Sequence, residues 1–207
     1  MDTLLLTSFA VFFSFILCVA PFPNMIRRAK DKEMHYIPIY FLWINHSCRI
    51  VWLYYGILKN IVPFITNCVM TGIASILMLI LYYFFIREKL KFVIFYTIFL
   101  IVTFVFSVYI FPVTWVGNIA TTLGTLTYIV TAKNLKVAIN TLNPKMIDLP
   151  ITIVSFLNSF AWAFYGLIIF DYPLMIGCAI GVVVSIVLLV SYVWINCKKF
   201  KKKLITV

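Results

Sequence analysis

Residues 52–56 read Trp-Leu-Tyr-Tyr-Gly, and residues 162–166 read Trp-Ala-Phe-Tyr-Gly. Both copies fit the pattern Trp-x-aromatic-Tyr-Gly, and they are separated by 110 residues. The similarity continues beyond the glycine, since residues 57–58 are Ile-Leu and residues 167–168 are Leu-Ile. An apolar motif that recurs at a fixed offset indicates that the chain contains two copies of one structural unit.

The composition indicates an integral membrane protein. Of the 207 residues, 64% are hydrophobic and 11% are charged, which leaves too few polar side chains to cover a water-soluble domain. The net charge of +11 does not suggest a nucleic-acid partner, because the charges lie in short segments between apolar runs. The five cysteines are widely spaced without a C-x-x-C pair, so we expect packing residues, no metal site and no cofactor.

Seven apolar runs, each close to the twenty residues that a helix needs to cross a membrane, cover most of the chain. They lie at about 3–22, 36–58, 61–86, 92–112, 113–132, 148–169 and 172–196. The sequence therefore predicts an all-α membrane protein with seven transmembrane helices in a 3+1+3 layout. Its parts are a first three-helix repeat (1–90), a linker helix (91–112), a second three-helix repeat (113–197) and a basic cytoplasmic tail (198–207).

The basic residues predict the orientation. Of the 17 Lys and Arg, 15 fall in the tail or in the loops after the first, third and fifth runs. The positive-inside rule then places the N-terminus outside and the C-terminus in the cytoplasm. Two units with the same orientation predict a pseudo-twofold axis along the membrane normal, with a site near the midplane. All six carboxylates lie at run ends or in loops, so we expect none in the middle of the membrane, where proton- and sodium-coupled carriers commonly keep one.

Further motifs carry a family resemblance. Residues 20–23 read Ala-Pro-Phe-Pro, residues 149–151 read Leu-Pro-Ile and residues 155–162 read Ser-Phe-Leu-Asn-Ser-Phe-Ala-Trp. With the repeated pentapeptide and Asn67, they resemble the SWEET (MtN3/saliva) sugar transporters over nearly the whole chain, except for the fourth run. The resemblance implies a bidirectional, uncoupled facilitator of mono- or disaccharides that works by alternating access. It also implies assembly into homo-oligomers, surrounded by the lipid of the plasma membrane or an endomembrane.

The resemblance also implies the site. Trp52 and Trp162 match the aromatic pair that sandwiches the sugar, and Asn67 matches a residue that hydrogen-bonds it. Cys178 stands where the family has a second asparagine, and Thr131 stands where it has a proline. Further lining positions are Cys48, Asn158, Leu17 and Thr127. The outer gate corresponds to Tyr55, Tyr165 and Asp171, and the helix-bending prolines to Pro21, Pro38 and Pro150, with Pro38 about one turn earlier than in the family.

The residue types fit this chemistry, because flat indoles cover the C–H faces of a sugar and amides pair with its hydroxyls. The alternative for the tryptophans is a position at the membrane interface, which suits lone residues such as Trp115. Asn67 and Asn158 alternatively hydrogen-bond neighbouring helices. Arg49, three residues before Trp52, either contacts a substrate or anion in a cavity or has a structural role. We expect His46 to be a hydrogen-bonded buried imidazole rather than a proton relay.

Two other functions share parts of this pattern. A seven-helix receptor has the same predicted orientation, and a PQ-loop-type carrier or sorting receptor for a non-sugar ligand has the same fold. The repeat, the short loops and the absence of Asp-Arg-Tyr at the third run argue against the receptor, and the absence of Pro-Gln argues against the carrier. An enzyme is not expected, because the chain has no H-E-x-x-H or G-x-S-x-G motif and only two histidines.

Overall fold

The computed structural model describes residues 3–30, 39–85, 94, 96, 98, 100 and 112–205. These residues are almost entirely helical and include no strand, which confirms the all-α prediction. The helices are α1 (Thr3–Val19), α2 (Pro21–Lys30), α3 (Ile39–Leu58), α4 (Val62–Phe85), α5 (Val113–Thr141), α6 (Leu149–Ile168) and α7 (Tyr172–Ile205), with a 3-10 turn at Pro144–Met146.

Four segments within the described ranges are long and apolar enough to cross a membrane. They are Thr3–Arg27, Val62–Phe85, Leu149–Ile168 and Tyr172–Phe200. Helix α3 is not among them; it carries polar side chains such as Asn45 and Arg49 in its middle. Most of the predicted linker helix, 91–112, lies outside the described residues, so the seven-helix layout stays a prediction.

The basic segment after the first run is helical up to Lys30, although we predicted a loop there. Pro21 and Pro23 have no N–H group to continue the hydrogen bonds of α1, so α1 ends at Val19 and a new helix begins at Pro21. Proline is well tolerated in the first turn of a helix. The new helix α2 packs its Met25 into a buried cluster with Leu42 of α3 and Met78, Leu79 and Tyr82 of α4.

Helices α5 and α7 are also longer than predicted. Lys133 and Lys136 lie on α5, which ends at Thr141 rather than near residue 132, and α7 continues through the basic tail to Ile205. Tertiary packing accounts for the extension, because Ala138 near the end of α5 is fully buried against Ile147 and Ile195. Apolar burial of this kind stabilises helical turns that polar side chains alone would not define.

The two copies of the pentapeptide lead into the same helical hairpin, in which a tight turn joins α3 to α4 and α6 to α7. In the first copy the backbone N–H groups of residues 59, 60, 61 and 65 donate to the carbonyl groups of residues 55, 57, 56 and 61, at 2.9–3.1 Å. The second copy repeats all four bonds with every number raised by 110, at 2.8–3.3 Å. Asn60 and Phe170 hold equivalent left-handed backbone conformations, with φ of 55° and 53°. The internal repeat therefore has one register throughout both hairpins.

The chain divides into two compact units. One consists of Ser14–Gly124 and the other of Met1–Phe13 with Thr125–Val207. The first unit contains Trp52 and Asn67, and the second contains Trp162 and Cys178. This division by contacts cuts through α1 and α5, so it does not test the predicted repeat boundaries, which stay a prediction.

Candidate substrate site

Trp52 lies in an aromatic cluster within the Ser14–Gly124 unit. Its side chain is 8% exposed and meets the rings of Tyr55 and Phe64 edge to face, at centroid distances of 5.6 and 5.4 Å. Such edge-to-face pairs are the preferred aromatic geometry. Tyr55 comes from the next turn of α3, and Phe64 comes from α4 across the hairpin. The hairpin therefore fixes the position of the indole.

Asn67 lies on α4 one turn after Phe64, and its side chain is 5% exposed. Its amide oxygen, Oδ1, is buried and has no hydrogen-bond partner within the part of the chain that the structure describes. Nearly all buried polar atoms in proteins are paired, so an unpaired acceptor calls for an explanation. A ligand hydroxyl that donates to this oxygen would provide one.

Cys48 takes part in helix packing. It is 5% exposed, and its Sγ donates to the carbonyl oxygen of Ala120 on α5 at 3.6 Å. A Cβ atom added at Gly124, one turn further along α5, would meet the same sulfur at 3.6 Å. This cysteine therefore joins α3 to the first half of α5, and its predicted lining role stays a prediction. Leu17 on α1 is half-buried.

His46 is hydrogen-bonded, as expected. Its Nδ1 lies 2.7 Å from Oγ of Ser75, a residue of α4, and that hydroxyl donates to the carbonyl oxygen of Gly72 at 2.7 Å. Because the hydroxyl proton is used by Gly72, the imidazole N–H at Nδ1 is the donor to Ser75. This chain of bonds gives His46 a structural role between α3 and α4.

The second unit repeats the tryptophan arrangement. Trp162 is 2% exposed and meets Tyr165 edge to face at 5.8 Å and 84°, against 5.6 Å and 78° for Trp52 and Tyr55. Three further predicted residues of this unit, Asn158, Cys178 and Thr127, are half-buried, and each has an interaction partner of its own.

Asp171, Pro21 and Pro150 lie at helix starts. Asp171 is 5% exposed, and its Oδ1 accepts from the backbone N–H of Leu174 at 3.1 Å, so it caps α7. Pro150 lies in the first turn of α6, which Asp148 caps through the N–H of Ile151 at 3.2 Å. Pro21 begins α2, and Pro38 lies outside the described residues. The predicted gate aspartate therefore also holds a helix end in place.

Two sets of residues were not predicted. Phe64 packs on Trp52, and the repeat could have revealed it. Pro63 and Pro173 align at the offset of 110 residues, so Phe64 aligns in sequence with Leu174, which is also buried. The second set lies at the other end of α3. Trp43 donates from Nε1 to the hydroxyl of Tyr83 at 2.7 Å and stacks on Tyr96 at 4.8 Å, while the Tyr96 hydroxyl bonds Ser47 and the Trp43 carbonyl oxygen. No motif marks this set.

The register of the repeat also relates the two helices that follow the hairpins. At an offset of 110, Asn67 corresponds to Gly177, and Cys68 corresponds to Cys178. The resemblance instead aligns Cys178 with Asn67, one position away. Asn67 of the first copy thus has no amide side chain at the equivalent position of the second copy.

Among the described residues, no three His, Cys, Asp or Glu side chains could hold a metal ion together.

Comparison with known proteins gives the family. A family model described as sugar efflux transporters for intercellular exchange matches residues 4–90 and 113–200. The 3.7 Å structure of a eukaryotic SWEET transporter shares the fold, with a TM-score of 0.83 over 94% of this chain and 97% of that chain, at 17% sequence identity. No curated protein matches the chain. The chain therefore belongs to the SWEET (MtN3/saliva) family of sugar transporters, which are not enzymes, and it is an integral membrane protein.

Proposed function

We propose that this protein is a bidirectional, uncoupled facilitator that moves mono- or disaccharides across a membrane by alternating access. The substrate lies between Trp52 and Trp162, hydrogen-bonds Asn67 and contacts Cys178. Cys48, Asn158, Leu17 and Thr127 complete the lining. The observation that carries the proposal is the buried Oδ1 of Asn67, which has no partner among the described residues. A buried acceptor without a donor costs about 1–3 kcal/mol, and a sugar hydroxyl removes that cost on binding.

The repeated tryptophans support a ring-shaped substrate. Each is buried, and each is held edge-on by the tyrosine three residues later, in matching geometry. Two indoles that are related by a repeat suit the two apolar faces of one pyranose ring. Seven transmembrane helices in the 3+1+3 layout would place these indoles near the midplane, on a pseudo-twofold axis.

The carboxylates support uncoupled transport. Asp148 and Asp171 are the acidic residues in the described ranges, and each caps the start of a helix rather than lying in its middle. Proton- and sodium-coupled carriers commonly keep a carboxylate inside the membrane. The N-terminus lies outside and the C-terminus in the cytoplasm. The outer gate consists of Tyr55, Tyr165 and Asp171. The helices bend at Pro21, Pro38 and Pro150 as the bundles rock. Protomers assemble as homo-oligomers.

Counterflow in proteoliposomes tests the proposal. Vesicles preloaded with unlabelled glucose or sucrose should take up the labelled sugar, and Trp162→Ala should abolish the saturable part of that uptake. Trp115→Ala is the matched control, because it removes an indole that is 59% exposed and outside the proposed site. Folded protein without flux above empty vesicles would contradict sugar transport and favour a receptor for a non-sugar ligand. Uptake that scales with an imposed proton gradient would contradict the uncoupled mechanism.

A further inference from the structure

Arg49 places a charge in the middle of a helix of the Ser14–Gly124 unit. It lies ten residues after the first residue of α3 and nine before the last. At about 1.5 Å per residue, it is roughly 14 Å from either end, which is half the thickness of a membrane core. Its side chain is half-buried. In the predicted 3+1+3 layout α3 crosses the membrane, and a guanidinium group at this depth would be costly unless it met an anion or a water-filled path.

The described residues offer this guanidinium no carboxylate. Within the described residues Arg49 forms no ion pair, and both described carboxylates cap helices of the other unit. The other four acidic residues, Asp2, Asp31, Glu33 and Glu88, lie outside the described residues. The charge of Arg49 interacts electrostatically with the thiols of Cys18 on α1 and Cys48 on α3. Since neutral thiols do not balance a charge, the described part of the chain holds no counter-ion for Arg49.

Helix geometry places this charge beside the proposed sugar site. Successive residues turn by about 100° around a helix, so Arg49 and Trp52 are about 60° apart, and Cys48 and Trp52 about 40° apart on the other side. Cys48 faces Ala120 of α5. Arg49 lies on the opposite flank of Trp52, and its charge acts on Cys18, which follows the predicted lining residue Leu17 in the sequence.

We propose that Arg49 makes this carrier a transporter of sugar acids, which are sugar rings that carry one carboxylate. The inference rests on the proposed facilitator function and specifies its substrate class. The ring packs on the indole of Trp52, a ring hydroxyl donates to Oδ1 of Asn67, and the carboxylate pairs with the guanidinium of Arg49. Arginine suits this role because its planar N–H groups bind a carboxylate in a bidentate fashion.

The charge balance favours a carboxylate over a phosphate. One guanidinium neutralises one carboxylate, so the loaded site is neutral and its burial is not opposed by a net charge. A sugar phosphate carries close to two negative charges at neutral pH and would leave one of them unpaired in the membrane. Neutral sugars still fit the indole and Asn67, but they leave Arg49 without its anion. The carrier therefore prefers a sugar acid to the neutral sugar of the same ring size.

Labelled D-glucuronate and D-glucose, measured side by side in proteoliposomes, test this preference. We expect saturable uptake of both, with glucuronate the better competitor in each assay. An imposed potential of about 100 mV, inside positive, should raise the accumulation of glucuronate up to about 50-fold and leave that of glucose unchanged, because only the anion carries charge. Glucose 6-phosphate should compete poorly.

Variants of Arg49 separate charge from packing. Arg49→Met keeps a long side chain without charge and should weaken glucuronate uptake about 30-fold or more, the low end for losing one member of a buried charge pair and a larger loss than for glucose uptake. Arg49→Lys should recover part of the glucuronate uptake. Lys136→Met removes an exposed charge on α5 and serves as the control.

The outcomes distinguish the two proposals. Glucose uptake without glucuronate uptake, or glucuronate uptake that Arg49→Met leaves unchanged, would overturn the sugar-acid inference and leave the facilitator standing. If folded protein carries neither compound, the facilitator proposal fails, and the inference that rests on it fails as well.

Discussion

Replacing Asn67 by leucine should make the protein more stable and less active. The buried Oδ1 has no partner among the described residues, so the wild-type fold bears a desolvation cost of about 1–3 kcal/mol. Leucine has a similar volume and no polar atom. For a chain of this length, 1 kcal/mol shifts the unfolding midpoint by about 2–4 °C, so Asn67→Leu should raise the midpoint in detergent by roughly 2 °C or more. Counterflow of glucose should fall to the level of empty vesicles.

Ser75 on the same helix provides the matched control. Its hydroxyl is buried, and unlike Asn67 Oδ1 it is bonded, to His46 and to the carbonyl oxygen of Gly72. Ser75→Ala should therefore lower the unfolding midpoint, since it leaves the imidazole N–H without an acceptor, at a cost of about 1–3 kcal/mol. Opposite signs for the two variants are the expected result. A lower midpoint for Asn67→Leu would show that the amide stabilises the fold through a partner in the protein and would refute the ligand-acceptor role.

Two further predictions use the repeat as its own control. Gly166→Ala should lower the unfolding midpoint by about 3–9 °C relative to Gly56→Ala, because a Cβ at Gly166 would lie 2.8 Å from the backbone nitrogen of Met175. At Gly56 the nearest atoms to a Cβ are side-chain atoms at 3.2–3.3 Å, and the backbone nitrogen of Ile65 lies at 3.7 Å. Equal midpoints by thermal unfolding would contradict this. Phe170→Asn should raise the midpoint by about 1–4 °C, since asparagine tolerates the left-handed conformation that Asn60 already has, and the reverse change Asn60→Phe should lower it.

The parts of the fold that follow from local sequence were predictable. The pentapeptide and its offset anticipated two hairpins with the same hydrogen bonds, because these bonds join residues at most five positions apart. The ends of α3, α4 and α6 fall within a few residues of the predicted runs, since apolar runs of this length form helices. The predictions that failed concern basic segments. The pattern of basic residues predicts on which side of the membrane a segment lies, but not its secondary structure. Met25 and Ala138 show that the packing of apolar residues within a basic segment decides whether it is helical.

The sequence predicts which polar residues need a partner or a ligand, but not which of the two each residue has. Intramembrane asparagine, histidine and arginine side chains all require a partner or a ligand, and the sequence identifies each as an exception to its apolar surroundings. Which of these applies depends on what another helix brings within about 3 Å. His46 meets the hydroxyl of Ser75, from 29 positions away, whereas no described residue meets the Oδ1 of Asn67.

The sequence by itself determined the membrane class, the two repeats, their register and the family resemblance, because composition, helix length and local hydrogen bonds depend on neighbours along the chain. Only the tertiary structure decided that Cys48 bonds to Ala120, that Phe64 packs on Trp52 and that no described residue bonds to Oδ1 of Asn67. The first two contacts join residues on different helices, and the third observation depends on which residues surround α4. Pairing of this kind depends on distances in three dimensions, which residue spacing along a helical chain does not specify.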